Sequence, residues 1–502
     1  MKNILPLALI LLFATSCTVS KYSPAKKFSP AELKEDYSVF RNVLEESHPS
    51  LYWYTPKDSI DHYFETGAAK LSDSLSEYKF RNVLSYVVAK FRCGHTSVRA
   101  SEAASRYADR TKSFALPLSI KAWPDTVIVT SNLNRKDTSI KRGVLLKSIE
   151  GRPIQTILDS FFTHLSGDGF NTTHKYQTLS NGGTFRNMYG SIYGLRQKMK
   201  VEYVDTAGAF KTAMVDVYNP AADTPRQRLP VHRPSRKERK KMAVLAIRNM
   251  TIDTVSHTAF MELNGFTKHF KLTKFFRQSF KKIKKQNIQN LVIDLRGNGG
   301  GSVVLSNLLT KYIADKPFKI ADSIYAVQRK SHYKKYINNY FQSRLFLLFM
   351  TRKKKDGNYH FAYYENKLFK PKTKHHFDGQ IYILTGGNTF SAASLFAETV
   401  KRQDNVTIVG EETGGGAYGN TAWLIPEVIL PNSKVRFRLP LFRLVVDKDE
   451  EKGRGVIPEV ESVPTVRDIR RGVDFKMEKV MELIKNKFKN DSSSPPVDNL
   501  LK

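Results

Sequence analysis

The chain has 502 residues, 41% hydrophobic and 25% charged, which is ordinary globular composition and enough length for about two to four domains. Its formal net charge is +34, with the densest basic cluster at residues 226–241. Aromatic residues do not interleave with the basic clusters and no nucleic-acid-binding fold signature is present, so we exclude nucleic acid as a partner. Such a surface suits anionic lipid head groups or acidic substrates.

The N-terminus has the pattern of an export signal. A basic start precedes the apolar run Ile4 to Phe13 and the small residues before Cys17. No later stretch approaches the roughly 20 apolar residues of a spanning helix. The segment resembles a bacterial lipoprotein cleavage site, which implies a signal peptide at 1–17 and lipidation of Cys17. A plain signal peptide with an incidental cysteine is the alternative.

Four regions are predicted between the signal peptide and residue 242. After a polar tether (18–28), residues 29–115 carry apolar residues at helical spacing and include the turn Gly94-His95-Thr96. Residues 116–224 alternate as strands, and the segment Gly143 to Gly151 resembles the core of a PDZ-type peptide-binding module. Residues 168–195 are expected to form a long polar loop, and 225–241 a basic linker or exposed loop.

Residues 242–489 are predicted to form an α/β core, followed by a disordered tail (490–502). Strands alternate with helices here, starting with a strand at Met242 to Ile247, which indicates parallel βαβ units. The strand at Leu291 to Leu295 runs into three successive glycines at 299–301, which can point backbone N–H groups at a bound carbonyl. The missing Gly-Lys-Ser/Thr ending argues against a phosphate-binding Walker loop. A basic, aromatic insertion (331–374) is expected as a lid, a substrate wall or a loosely packed insert.

The turn at Gly386 to Ser391 joins a short buried strand (381–384) to a helix. A serine at such a position lies near unpaired backbone N–H groups and the positive end of the helix, where an oxyanion would be stabilised. Taken alone, Ser391 is more simply a helix cap.

The glycine loop and the motif Ser391-Ala392-Ala393-Ser394 together resemble the C-terminal-processing (tail-specific) serine protease family. The resemblance implies an α/β fold with a parallel or mixed sheet, like the ClpP and crotonase core. It also implies that Ser391 is the nucleophile and that the Gly299 and Ala392 amides form the oxyanion hole.

Any general base must come from another part of the chain, because the turn from Thr413 to Gly419 lacks the lysine that serves as the base in the better-known branch of that family. The tricorn-like branch uses a histidine from the upstream region and a carboxylate near the C-terminus. This resemblance nominates His95 over His48 or the pair His375-His376, with a structural turn residue as the alternative. It nominates Glu451, with Glu450 in reserve, as the carboxylate before the segment Gly453 to Val460.

The expected function is therefore a lipid-anchored serine endopeptidase that faces the periplasm at the outer membrane and cleaves peptides or unfolded proteins. No cofactor is expected, and no set of residues has zinc-ligand spacing. One alternative is an inactive relative that binds peptide or a small apolar ligand in the same cleft. Another is a basic adhesion or lipid-binding protein of the envelope. The oligomeric state is left open.

Overall fold

The computed structural model describes residues 22–111, 113–221 and 234–493, with the side chains of 488–493 left aside. Cys17 and the predicted signal peptide therefore lie outside the described residues. No helix within these ranges is long and apolar enough to cross a membrane.

The N-terminal region consists mainly of four helices. The first begins at a capping box, in which Ser29 and Glu32 exchange hydrogen bonds, and Lys27–Phe28 of the predicted tether pair with a strand. Phe40, Phe64 and Phe80 are fully buried in its core. Its elements are β1 (Lys27–Phe28), α1 (Pro30–Ser47), α2 (Lys57–Ala69), β2 (Leu75–Ser76), α3 (Glu77–Ala89), β3 (Val98–Arg99) and α4 (Glu102–Arg110).

An antiparallel sheet with three helices forms the β module that follows. The main path of its sheet runs β4-β5-β6-β8-β9, with β7 paired to β6. Its elements are β4 (Leu118–Trp123), β5 (Thr126–Asn132), β6 (Leu145–Ile149), β7 (Arg152–Pro153), α5 (Ile154–Phe162), α6 (Thr173–Ser180), α7 (Thr184–Ile192), β8 (Lys198–Val204) and β9 (Phe210–Asp216). The expected polar loop at 168–195 is wrong for most of its length, because Leu179, Phe185 and Tyr189 on α6 and α7 bury their side chains in the module's core.

The central sheet of the core confirms the predicted α/β class. Its order is β10-β11-β12-β16-β17-β22, with β10 antiparallel and every other neighbouring pair parallel. The elements up to the insertion are α8 (Arg236–Ile247), β10 (Arg248–Asp253), β11 (Thr258–Leu263), α9 (Leu272–Lys285), β12 (Asn290–Asp294), α10 (Val303–Ile313) and β13 (Ser323–Ala326), with a short 3-10 helix at Lys268–Phe270.

The rest of the core contains the insertion, the serine turn and the C-terminal helices. The insertion adds helices and a short hairpin that joins a second sheet, β14-β15-β13-β21-β18. These elements are a 3-10 helix at Lys334–Tyr336, α11 (Tyr340–Met350), β14 (Arg352–Lys353), β15 (Tyr359–His360), α12 (Ala362–Asn366), β16 (Gln380–Thr385), α13 (Ala392–Val400), β17 (Val406–Gly410), β18 (Gly419–Ala422), β19 (Glu427–Ile429), β20 (Arg436–Arg438), β21 (Phe442–Val445), β22 (Val460–Glu461), α14 (Val466–Arg471) and α15 (Phe475–Ser493).

Two further predictions differ from the structure. Residues 236–247 form one helix, so the predicted strand at Met242 to Ile247 is wrong and the predicted linker ends earlier. The helix starts at a second capping box, Ser235 with Glu238, and a short apolar run does not by itself separate strand from helix. Helix α15 also continues to Ser493, into the segment predicted to be disordered; the rest of that segment lies outside the described residues.

Candidate active site

The turn that carries Ser391 is strained. Ser391 precedes α13 with φ 54° and ψ −122°, in the positive-φ region that non-glycine residues rarely adopt and that often marks functional sites. The second serine of the motif, Ser394, is fully buried and donates its hydroxyl hydrogen to the Thr389 carbonyl at 2.9 Å. Ser391 is only partly buried and lines a cavity, so it is the serine of this motif that a ligand can reach.

The glycine loop and the serine turn are joined by hydrogen bonds. The Phe390 amide donates to the Asn298 carbonyl at 3.0 Å, and the Thr389 hydroxyl donates to the Leu295 carbonyl at 2.8 Å. At Gly300, with φ +94°, an added Cβ would lie 2.7 Å from the Ser391 Cβ and 2.9 Å from the Ala392 amide nitrogen. The two sequence motifs thus form one unit in which only glycine fits beside the serine.

Gly299 and Ala392 carry the two backbone amides that the sequence analysis nominates as oxyanion-hole donors. Both residues line the cavity with Ser391. Within the described ranges, neither backbone N–H donates a hydrogen bond to another part of the chain. Nothing lies within 4 Å of the Cβ position of Gly299, so this face of the loop is open. The structure therefore brings together the three residues predicted on this side of the site.

His95 lines the same cavity from the N-terminal region. It is only 4% exposed, its ring lies 4.8 Å from the Phe390 ring, and both ring nitrogens are buried without a hydrogen-bond partner among the described residues. Burial lowers the pKa of His95 to about 3, and the charges of Arg438 and His174 add to this effect. The imidazole is thus neutral at pH 7, and its unpaired nitrogens call for a functional explanation.

The carboxyl group nearest to His95 among the described residues is that of Asp168, which the sequence analysis did not nominate. Its Oδ1 lies 3.9 Å from His95 Nδ1, and the side chain is 3% exposed. It accepts hydrogen bonds from the backbone N–H groups of Gly94 at 2.8 Å and Gly416 at 3.3 Å. Burial raises the pKa of Asp168 to about 7, while these two N–H groups favour the ionised form.

The structure places neither predicted carboxylate on His95. Glu451 is exposed and makes no side-chain contact with His95 within the described ranges. Glu450 is held by Lys401 at 2.6 Å and by Arg402 at 2.7 Å. The segment that follows does reach the site, because the Phe170 amide donates to the Gly453 carbonyl at 2.9 Å, two residues from Asp168.

A second histidine, His174, was also missed by sequence reasoning. Its Nδ1–H donates to the Gly387 carbonyl at 2.7 Å, which fixes the tautomer, and its ring lies 4.9 Å from the Phe390 ring. Burial lowers its pKa, against the effect of the Gly387 contact. Phe390 therefore lies beside both His95 and His174. The only sequence signal for Asp168 and His174 was the run of small polar residues around them.

One cluster of carboxylates has the spacing of a metal site. The side chains of Glu398, Asp447 and Glu450 can bring ligand atoms within 4.8 Å of one another. Lys401 and Arg402 already lie among them, with Lys401 Nζ 3.1 Å from Glu398 and Arg402 2.9 Å from Asp447. These two side chains balance the negative charge of the carboxylates, so we interpret the cluster as an ion-pair network.

The cavity measures about 860 Å³, which suits a peptide segment. Its lining includes the polar groups described above, Arg438, and Tyr364 of the insertion. Its apolar lining residues include Val303, Val304, Leu395, Trp423, Leu424 and Leu444.

Two solved structures share this fold over nearly their whole length. A structure described as mature CPAF complexed with lactacystin has a TM-score of 0.64 at 16% identity, covering 92% of this chain and 98% of that chain. A second structure of mature CPAF has a TM-score of 0.62 at 16% identity, covering 91% and 98%. No curated protein sequence matches the chain. At this identity the likeness shows the fold.

The family match, and not the fold alone, defines the class: the chain carries a serine-type peptidase domain. More particularly, residues 257–462 match the model of peptidase family S41, so the chain carries an S41 domain and the predicted relation to C-terminal-processing proteases is confirmed. The matched segment holds the glycine loop and Ser391. His95 and Asp168 lie N-terminal to it.

Proposed function

We propose that the protein is a lipid-anchored serine endopeptidase of the bacterial envelope, with Ser391, His95 and Asp168 as its catalytic triad. The observation that carries the proposal is a single cavity. It holds a serine at φ 54° and a buried histidine without hydrogen bonds, and a buried carboxyl lies 3.9 Å behind that histidine. Nucleophile, base and orienting carboxylate are the three parts of serine-peptidase chemistry.

In the proposed reaction the Ser391 hydroxyl attacks the scissile carbonyl carbon while His95 Nε2 takes the hydroxyl proton. The oxygen of the tetrahedral intermediate accepts hydrogen bonds from the Gly299 and Ala392 amides. His95 then protonates the leaving amine, and water hydrolyses the acyl-enzyme by the same steps. Asp168, when ionised, stabilises the imidazolium through Nδ1–H. Ser391 and His95 make no hydrogen bond here, and such contacts commonly tighten only when substrate binds.

The substrate class and the location belong to the same proposal. A peptidase of this family acts on peptides or proteins, and the open cavity fits an extended or unfolded segment. Lipidation of Cys17 would hold the protein at the outer membrane, facing the periplasm. The apolar run before Cys17 supports this location.

An inactive peptide-binding relative is the second candidate. It is favoured by the unpaired Ser391 hydroxyl and by the glycine turn at 413–419, which offers no lysine base. Such a protein would keep the cavity and bind peptide there without cleaving it.

Fluorophosphonate labelling of the full chain in detergent tests the proposal, because only an activated serine reacts. We expect wild type to label, and Ser391→Ala and His95→Ala to stay unlabelled while folded. Lactacystin, present in the CPAF complex, serves as a competitor. Folded wild type that stays unlabelled would instead favour the peptide-binding candidate.

A matched pair of variants tests the choice of carboxylate. Asp168→Asn should lower kcat/KM by about a hundredfold or more, because the imidazolium loses its counter-charge. Glu451→Gln, an equally conservative change at an exposed site, should stay within about threefold of wild type. The reverse pattern would assign the role to Glu451.

A further inference from the structure

Arg438, whose side chain has no hydrogen bond or ion pair among the described residues, lies in the active-site cavity. Arg438 is on β20, whose neighbours are β19 and β3, and its backbone amide donates to the Ser97 carbonyl at 3.0 Å, two residues from His95. Its side chain lines the cavity that also contains His95 and Ser391. It is therefore placed to meet whatever binds next to the serine.

The neighbouring arginines already use the nearest carboxylate. Arg99 lies 2.8 Å from one oxygen of Glu427, and Arg436 lies 3.1 Å from the other. Glu427 is the register partner of Arg438 across β19 and β20, yet it makes no ion pair with it. Within residues 22–111, 113–221 and 234–493, the Arg438 guanidinium has no hydrogen bond and no ion pair.

Half-burying a cation without an ion-pair partner destabilises its charged form, and the pKa of Arg438 reflects this. Burial lowers the pKa of Arg438 and the charge of Arg99 adds to the effect, while Cys93 and Glu427 act in the opposite direction without reversing it. A planar guanidinium can bind a carboxylate through two parallel N–H···O bonds, which would offset the lost hydration. The described residues supply no such carboxylate at this point, so it would have to come from a ligand.

We propose that Arg438 binds a carboxylate of the substrate close to the scissile bond, which makes the enzyme selective for peptides that carry an acidic side chain there. This inference rests on the proposed function and names its substrate class. Trp423 and Leu444 line the same cavity, so an apolar side chain next to the carboxylate completes the fit.

The same contact would help His95 act as a base. The Arg438 charge contributes to the low pKa of His95. A substrate carboxylate that neutralises this charge raises the pKa of His95 and makes the imidazole a better proton acceptor. A substrate with the carboxylate would then gain in kcat as well as in KM.

The decisive experiment compares pairs of peptides that differ only in charge: Asp against Asn at each position flanking the cleaved bond, and a free against an amidated C-terminus. The full chain in detergent is measured as wild type, Arg438→Gln and Arg106→Gln. Arg106 is an exposed arginine paired with Glu102 on α4, so its variant matches the loss of one charge. A preference confined to the acid/amide pair would trace the carboxylate to the chain end and overturn the inference.

We expect wild type and Arg106→Gln to prefer the acidic peptide of at least one Asp/Asn pair by about tenfold or more in kcat/KM, and Arg438→Gln to lose that preference. The ratio of kcat/KM between the two peptides of a pair is the quantity that tests the inference, because any change in His95 itself affects both peptides. Arg438→Lys should keep a weaker preference, since lysine keeps the positive charge but cannot donate two parallel hydrogen bonds to one carboxylate. A wild type without preference, or an unchanged ratio in Arg438→Gln, would overturn the inference.

Peptide binding to Ser391→Ala, followed by fluorescence anisotropy, separates this inference from the proposed function. If wild type neither labels nor cleaves but Ser391→Ala still binds the acidic peptide more tightly through Arg438, the proposed function fails and the inference stands. If wild type cleaves without charge preference, the proposed function stands and the inference fails. Should Arg438→Gln melt early, the Arg438→Lys ratio serves in its place.

Discussion

The two sides of the cavity are built in different ways. The serine side consists of the loop at 295–301 and the turn at 386–392, which follow the neighbouring parallel strands β12 and β16 and are joined by direct hydrogen bonds. The histidine side is collected from three parts of the chain: His95 from the helical region, Asp168 and His174 from the β module, and Gly416 from the core. The serine side is thus formed by two turns that follow adjacent strands of one sheet. The histidine side is assembled only by the packing of three separate regions of the chain.

Removing the nucleophile should produce the largest effect, and it tests the serine side directly. Ser391→Ala should abolish fluorophosphonate labelling and lower peptide hydrolysis by about a thousandfold or more, because no acyl-enzyme can form. Ser394→Ala is the matched control, since it removes a buried structural hydroxyl of the same motif. Labelling that disappears in Ser394→Ala but persists in Ser391→Ala would reverse the assignment.

The second-largest effect should come from a side chain that fills the space beside Ser391. In Gly300→Ala the new Cβ would lie 2.7 Å from both the Phe390 carbonyl and the Ser391 Cβ, at a φ of +94°. We expect a loss of about 2 kcal/mol or more in the free energy of unfolding, together with most of the activity. Gly299→Ala, where the Cβ position is open, should melt close to wild type. Equal melting temperatures for both variants would contradict the close fit of this loop.

The pH profile tests the histidine side. Because burial raises the pKa of Asp168 to about 7, its carboxyl is protonated in acid and cannot stabilise the imidazolium. We expect kcat/KM to rise with pH and level off above about 7, and Asp168→Asn to lose this step. The free energy of unfolding should change in the opposite direction and fall as the pH rises. The cost of ionising the buried Asp168 carboxyl begins above its unfolded-state pKa of 3.8 and is complete above 7. A wild-type profile that is flat from pH 5 to 8 would exclude Asp168.

The smallest effect should come from His174. His174→Asn can keep the donor to Gly387 but loses the ring against Phe390. Such a ring contact is worth about 1 kcal/mol, so kcat/KM should fall by about tenfold or less. A loss as large as that of His95→Ala would make His174 a base rather than a support for Phe390.

The same contrast explains what the sequence could predict. The strands and helices around the serine turn and the glycine loop follow from short apolar runs and glycines within a few residues of one another, whereas the choice of Ser391 as nucleophile follows from the resemblance to a protease family. Asp168 could not be found, because its role depends on contacts with Gly94 and Gly416 from distant segments. The helix at 236–247 was predicted partly as a strand, although the Ser235 and Glu238 spacing was a usable signal.

The position of Asp168 also bears on when the protein becomes active. Its carboxyl accepts hydrogen bonds from the first third and from the last third of the chain, and Gly169 packs directly on the backbone of Gly453. On the proposed triad, His95 therefore gains its carboxylate only after the end of the chain has folded back onto its beginning. On the same proposal, a partly synthesised chain holds its serine, histidine and aspartate apart, so activity would begin only once the chain is complete.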